Sequence, residues 1–346
     1  MGGAIVGVGI ESSGFKYGFV HDGLVSADVR LANGDLVHVS DTNGYADLMA
    51  ALPNSYGTLG ALERCEIQLI PARPFVHLGT RRYVGVDAFL DAMRDAADEM
   101  SWDFVEGLIY SARELYLICG RLVDEAPHVA DIYGRVPYHK QLRNQGELWL
   151  TTEDYIFRYD PDWFWNVPDQ GIHAWFRRLA PRRMKHSGFY QRYVDFIRPF
   201  REIWGRDDGG TEPLIQDWEV PWAKAVELTE AALHEVDLLD KPWAAVPIRP
   251  HRSPTLFPLR SGDLYFNLGS YCWTASPIGD GRPFHYTRLM DRYCFDLGGL
   301  KLLYSSTFID EPSFDVLYNG TAYRRLKDKY DPGTVLPMLY AKVANI

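Results

Sequence analysis

The residues most suggestive of chemistry open the chain. Met1-Gly-Gly-Ala-Ile-Val-Gly-Val-Gly-Ile-Glu-Ser-Ser-Gly-Phe-Lys-Tyr-Gly18 places six glycines ahead of the first convincing strand. Backbone without Cβ can bend so that successive N–H groups converge on an anion, and it lets a ligand approach closely. Ser12 and Ser13 add hydroxyl donors. The chemistry this suggests is capture of a phosphate or diphosphate; the plainer alternative is a glycine-rich turn near a terminus. A Rossmann fingerprint fits poorly, because Gly7-Val-Gly-Ile-Glu-Ser12 ends in Ser, follows no strand and precedes a stretch that reads as a hairpin where a helix is required. The sequence holds neither a P-loop nor a Gly-x-Ser-x-Gly elbow. Its ten histidines lack metal-ligand spacing, so no metal site is expected.

The elements that must position this segment follow from periodicity. Val25, Ala27, Val29 and Leu31 alternate with polar residues, and Asn33-Gly34 then leads into Leu36 to Val39, which predicts a hairpin with a tight primed turn. A second alternation from Cys65 to Leu69 stops at Pro71, so residues 1 to about 74 read as part of a β-rich module. Beyond it, Val86, Phe89, Leu90, Met93, Ala97 and Met100 fall at helical spacing. Strands are expected from Phe104 to Tyr110, Leu115 to Cys119, Leu264 to Leu268 and Leu300 to Thr307. Helices are expected from Trp222 to Leu238 and Tyr286 to Phe295, with a final short one from Arg324 to Tyr330. The aromatic-rich stretch from Tyr133 to Trp204 yields no clear element. The expected class is α+β.

Composition narrows the field. A length of 346 residues suggests two domains, or one large one with an insertion. Hydrophobic residues at 47% and charged residues at 24% exclude disordered, collagen-like and coiled-coil classes. The aromatic share of 14% favours broad apolar pockets as well as cores. A net charge of -10 argues against nucleic acid as a partner. Cys65, Cys119, Cys272 and Cys294 lie far apart and read as thiols of a cytosolic protein. No apolar run reaches the ~18 residues that span a bilayer, so a soluble chain is expected. Arg177, Arg178, Arg182, Arg183 and Lys185, near Trp175 and Phe176, form either a solvated face or a contact with anionic lipid that would make the protein peripheral to a membrane.

Several strings together point to a family. They are Gly2 to Gly18, Val29-Arg-Leu-Ala-Asn-Gly-Asp35, Gly57-Thr-Leu-Gly60, Ile67-Gln-Leu-Ile-Pro71, Asp103-Phe-Val-Glu-Gly-Leu-Ile-Tyr110, Gln216-Asp217 and Tyr323-Arg-Arg-Leu-Lys-Asp-Lys-Tyr-Asp-Pro332. On these residues the chain resembles the vanillyl-alcohol-oxidase-like flavoproteins with a PCMH-type FAD-binding domain, and within them the Delta(24)-sterol reductase group. Gly9-Ile-Glu-Ser-Ser13 and Phe104-Val-Glu-Gly-Leu-Ile-Tyr110 are the more specific strings. The resemblance implies that residues 1–74 are the second half of the FAD-binding domain and 75–346 a substrate or cap domain, with the tail 321–346 returning toward the former. It also implies an FAD cofactor, NAD(P)H as electron donor, and reduction of a C=C bond in a hydrophobic, sterol-like substrate. Gly2, Gly3, Gly7, Gly9, Ile10, Glu11, Ser12 and Ser13, with Tyr17 and Gly18, would hold the flavin diphosphate and ring edge; Gly57, Thr58, Gly60 and Ile67 would meet the adenosine side.

Two departures qualify the expectation. The family's earlier FAD subdomain has no counterpart ahead of Gly2, so a truncated gene product, or a missing half supplied by another chain, is expected. Where the reductases show a Tyr-x-His-Arg-His-Thr-Arg-like string, this chain has Tyr155-Ile-Phe-Arg-Tyr-Asp-Pro161, keeping Arg158 but placing Phe157 and Tyr159 at the histidine positions. An oxidase or dehydrogenase of an alcohol-like substrate, or a flavin-free remnant, therefore stays open. Glu106, Arg158, Tyr159 and Asp160 are the candidates for proton handling: a carboxyl there needs burial to act as an acid, and the alternative is a surface pair of Arg158 with Asp160. Tyr155, Phe157, Tyr159, Trp163, Phe164 and Trp165 either line a pocket for a planar apolar ligand or belong to the core.

Overall fold

Two antiparallel sheets organise the computed structural model, which describes all residues except 135, 145, 163–164, 166–174, 177, 204–210, 276–283 and 345–346. The smaller sheet sets β1 (Leu24–Arg30) between β2 (Leu36–Ser40) and β3 (Ala61–Ile67). The β1–β2 hairpin forms as its alternation predicts, with Val29 opposite Val37, but its turn differs. Gly34 alone adopts a positive φ of 91°, because the Asn33 side chain is held by Asp35 on both its oxygen and its nitrogen. The loop closes by a bond from the Gly34 N–H to the Leu31 carbonyl in place of a primed turn.

The larger sheet has eight strands in the order β11-β8-β10-β9-β5-β6-β4-β7. These are β4 (Phe75–Tyr83), β5 (Phe104–Ser111), β6 (Glu114–Val123) and β7 (Glu147–Thr151), then β8 (Thr211–Pro221), β9 (Trp243–Ile248), β10 (Tyr265–Ala275) and the two-residue β11 (Leu300–Lys301). One face buries Val105, Ile109, Leu117, Trp218, Phe266 and Leu268 against the helices Val86–Glu99, Ala225–Glu235 and His285–Asp296. The apolar stripe of the first of these helices is the one its sequence spacing predicts. The other face carries a second core built on Leu78, Leu108, Ile118, Tyr138 and Leu148. Both faces of the large sheet are thus covered, and that position is decisive for the site.

Three expected elements are corrected. Of the stretch Leu300 to Thr307, only Leu300 and Lys301 pair with β8; Lys301 is then held by Asp291 and the Ser306 carbonyl, which pull the chain into a loop. The helix expected from Trp222 begins as a single 3-10 turn over Trp222–Lys224. The helix Gly320–Tyr330 is longer than expected and is not the last, since Leu339–Val343 follows. Of the basic residues considered for lipid contact, Arg182 remains exposed while pairing with Asp154 at 2.8 Å over the Tyr133 ring, and Lys185 is buried against the carbonyls of Tyr133 and Gly134. Arg177 lies outside the described residues. All four cysteines are free thiols. Among the described residues no helix is long and apolar enough to cross a membrane.

Candidate active site on the inner face of the large sheet

The glycine-rich opening is an ordered part of the molecule. Ile5, on the short helix Gly2–Val6, is fully buried, and Tyr56 fastens the turn behind it, donating its N–H to the Val6 carbonyl and its hydroxyl to the Gly7 carbonyl. Two backbone bonds pin the segment to the large sheet: the Val105 N–H to the Ser12 carbonyl at 2.8 Å, and the Arg249 N–H to the Gly14 carbonyl at 3.0 Å. Leading into and across these anchors, the amides of Ile10, Glu11, Ser12 and Ser13 donate to no backbone carbonyl among the described residues. A run of amides without backbone partners suits an anion. Some of the glycines answer to internal crowding. A Cβ on Gly7 would stand 2.8 Å from the Gly3 carbonyl, and one on Gly18, whose φ is 73°, would stand 2.1 Å from Asp22, whereas Gly3 faces open space. Gly2 sits in the first turn of that helix, Gly9 packs against Ala4 and Val20, and Tyr17 is half-buried. Gly57, Thr58, Gly60 and Ile67 belong to the small-sheet lobe; the Thr58 hydroxyl is spent on the Ser55 carbonyl and Ile67 pairs with Leu24.

Beneath the opening segment, strand alternation turns Glu106 toward the inner face while its neighbours Val105 and Gly107 face the helices. Arg158 meets it there through two bonds, Nη2 to Oε2 at 2.6 Å and Nε to Oε1 at 3.2 Å, and Tyr138 donates to Oε1 at 3.1 Å. The guanidinium is sandwiched by the Tyr155 and Tyr159 rings at 4.2 and 4.8 Å. Ser12 completes the junction, its Oγ 2.9 Å from the Tyr155 hydroxyl. Burial pushes the phenols of Tyr138, Tyr155 and Tyr159 upward, and the Glu106 charge adds to this. Burial would lower Arg158, but the Glu106 carboxylate holds its pKa up. Glu11, at the rim, has its carboxyl raised by desolvation, with Arg158 opposing and Glu106 adding.

Arg158 and Asp160 are not a surface pair. Asp160 is buried and lies 3.5 Å from His186, while Arg158 is committed to Glu106. Of the aromatic cluster, Tyr155, Tyr159 and Trp165 line the interior and Phe157 is exposed; Trp163 and Phe164 lie outside the described residues.

Sequence reasoning missed a second acidic centre on the same face. Asp217 of β8 accepts bonds from Tyr271 at 2.9 Å and Tyr304 at 2.7 Å. Two residues along, Glu219 is fully buried; Asn267 donates to its Oε1 at 2.8 Å, and its Oε2 has no partner among the described residues. Desolvation raises Asp217 to about 6 against the hydrogen bonds of its partners, and it raises Glu219 well above the carboxylate range, with the Asp217 charge adding. Trp165 bridges the two centres, its ring 5.3 Å from Tyr159 and 6.1 Å from Tyr271. A cavity of about 630 Å³ opens beside the second centre, lined in part by Tyr56, Ile215, Gln216, Leu303, Tyr304 and Lys342. The available signal was the Gln216-Asp217 string, but an acid in a polar stretch reads as solvent-facing until both faces of its strand are known to be covered.

The arrangement separates two roles. The Glu106–Arg158 pair, fully engaged in a dry setting, suits positioning and charge balance; the Asp217 centre holds a carboxyl poised to gain and lose a proton. Among the described residues no group of three His, Cys, Asp or Glu side chains could hold a metal ion.

No protein-family model matches the chain. It is similar to the Delta(24)-sterol reductase of Homo sapiens, with 26% identity over an alignment that covers 100% of this chain and 68% of the human protein. The Delta(24)-sterol reductase of Arabidopsis thaliana shares 26% identity over 98% of this chain and 66% of its own length. That of Pisum sativum reaches 40% over 35% of this chain and 23% of its own length. The similarity thus runs from end to end against an animal Delta(24)-sterol reductase and almost so against a plant one.

Proposed function

We propose that the chain is a sterol-reductase-like flavin oxidoreductase, acting on a C=C bond in a hydrophobic, sterol-like substrate. The observation that carries the reading is the row of buried groups on one sheet face, from Glu106–Arg158 through Trp165 to Asp217, lying under a glycine-rich segment with amides that lack backbone partners among the described residues. Relatives named as sterol reductases along the whole chain support it.

The residues fit FAD in one respect especially: the amides of Ile10 to Ser13, which have no backbone partner among the described residues, suit a diphosphate or the polar edge of a flavin. When bound, the flavin would take hydride from NAD(P)H and supply it to the alkene. Glu106, Arg158 and Tyr155 would fix the Ser12 end of the segment, keeping its amides aligned. Tyr159 and Trp165 would exclude water, and their rings offer an apolar wall to a flat ligand. The second half of a PCMH-type FAD-binding domain over residues 1–74, with a cap over 75–346, is the organisation this reading implies. The bonds from Lys327 to the Thr58 carbonyl and from Tyr330 to Asp47 support a return of the tail 321–346 to the first lobe.

The test is spectroscopic. Protein purified with FAD should show a flavin band that NADPH bleaches and a desmosterol-like alkene restores. No flavin band after FAD is added would sink the reading. A band restored by oxygen but not by the alkene would point instead to an oxidase of an alcohol-like substrate.

A further inference from the structure

We propose that Asp217 and Tyr304 form a proton-donating pair addressed to the 630 Å³ cavity, Tyr304 being the catalytic residue that touches the substrate and Asp217 the buried acid behind it. This rests on the reductase reading and adds to it the source of the proton.

Three observations converge. Tyr304 spans the boundary between cavity and interior: its side chain lines the cavity, and its hydroxyl reaches Asp217 Oδ2 at 2.7 Å. Asp217 is 2% exposed, so whatever leaves it must pass through a bonded neighbour, and of its two tyrosines only Tyr304 lines that cavity. Desolvation of the fully enclosed Asp217 carboxyl favours its protonated form, against the hydrogen bonds of Tyr304, Tyr271 and Asn267. The titratable groups that face Asp217 are Glu219 from its own strand, Tyr271 from β10 and Tyr304 from the loop after β11. Tyr56 lies against Glu219, and Lys342 shares the cavity wall.

The chemistry balances as follows. With Asp217 ionised, Tyr304 donates to it. Once the carboxyl is protonated the bond reverses, Asp217 donating to the phenol oxygen and freeing the Tyr304 O–H for the cavity. Donation to an alkene carbon in the cavity would break the Tyr304 O–H bond and form a C–H bond there, the other alkene carbon taking the hydride that a bound reduced flavin would supply. In the same motion the Asp217 proton moves to the phenol oxygen. The relay has the acidity of a carboxylic acid, which a phenol alone lacks, and solvent restores the proton afterward.

Two measurements decide it on the FAD-loaded full chain. In stopped-flow work, Tyr304→Phe should slow reoxidation of the reduced flavin by a desmosterol-like alkene about 100-fold or more, the usual scale of general-acid catalysis. Flavin reduction by NADPH should keep its rate. Without substrate, the infrared band of a protonated carboxyl should titrate near pH 6, vanish in Asp217→Asn and shift to higher pH in Tyr304→Phe, which loses a bond to the carboxylate. Wild-type alkene rates in Tyr304→Phe, or a carboxyl band unchanged in Asp217→Asn, would overturn the proposal. If the wild-type flavin is reduced but no alkene restores it, the reductase reading itself fails, and the infrared titration still reports on the pair.

Discussion

At the scale of single residues, the Glu106–Arg158 pair dominates the energetics of the site. Both side chains are nearly excluded from water, so removing one partner strands a charge in a poorly solvated setting. Arg158→Met should lower unfolding free energy by about 3–5 kcal/mol, read as a fall in the urea midpoint at unchanged slope, and adding Glu106→Gln to it should restore part of the loss. An Arg158→Met protein as stable as the wild type would mean that the pair is solvated. Gly18→Ala should also destabilise, because its φ of 73° and the 2.1 Å approach to Asp22 leave no space for a methyl group; a melting temperature equal to wild type would refute that. Glu106 and Arg158 were legible because they sit in strings with a family likeness. What they bind was not, since the sequence neighbour Asp160 looked the nearer partner for Arg158 and the true one is 52 positions away.

At the scale of elements, clean alternation and apolar runs were legible, even in β5 and β6, whose central residues are buried on both faces, whereas strands broken up by charged or polar residues were not. β1 and β2 announced themselves by alternation around Asn33-Gly34. β8 did not, although it is 11 residues long. Leu214, Trp218 and Val220 serve the helix-side core, while Asp217 and Glu219 occupy the parity a half-exposed strand would give to solvent. β4 was missed for a related reason: His77, Gly79, Arg81 and Arg82 interrupt its apolar pattern, and its ladders to β6 and β7 are long-range. The helix Gly320–Tyr330 is tied to the first lobe by a buried cation. Lys327 pairs with Asp331 at 2.6 Å and donates to the carbonyls of Thr58, Leu336 and Pro337. Lys327→Met leaves Asp331 and these carbonyls without that partner. Amide exchange around residues 56–60 and 336–343 should therefore accelerate well before global unfolding; unchanged protection there would show that the lysine is dispensable.

At the scale of the whole molecule, two buried groups pull stability in opposite directions with pH. Asp217, raised to about 6, binds its proton more tightly when folded. Its contribution is complete below its ordinary value near 4 and is lost as pH rises through 6, by about 3 kcal/mol at most. His21, pushed down to about 3 by burial with Arg252 adding, contributes above its ordinary 6.5 and loses stability as pH falls toward 3. Asp217→Asn should therefore leave a protein whose stability climbs more steeply between pH 4 and 6 than the wild type, as denaturant titrations at each pH would reveal; parallel curves would contradict the buried acid. The larger sheet has one further consequence. Its margins are the two-residue β11, which pairs with β8 only at Trp218 and Glu219, and the five-residue β7. Edge strands this short give a second molecule little ladder to extend, which discourages the strand-by-strand accretion that broad antiparallel architecture invites.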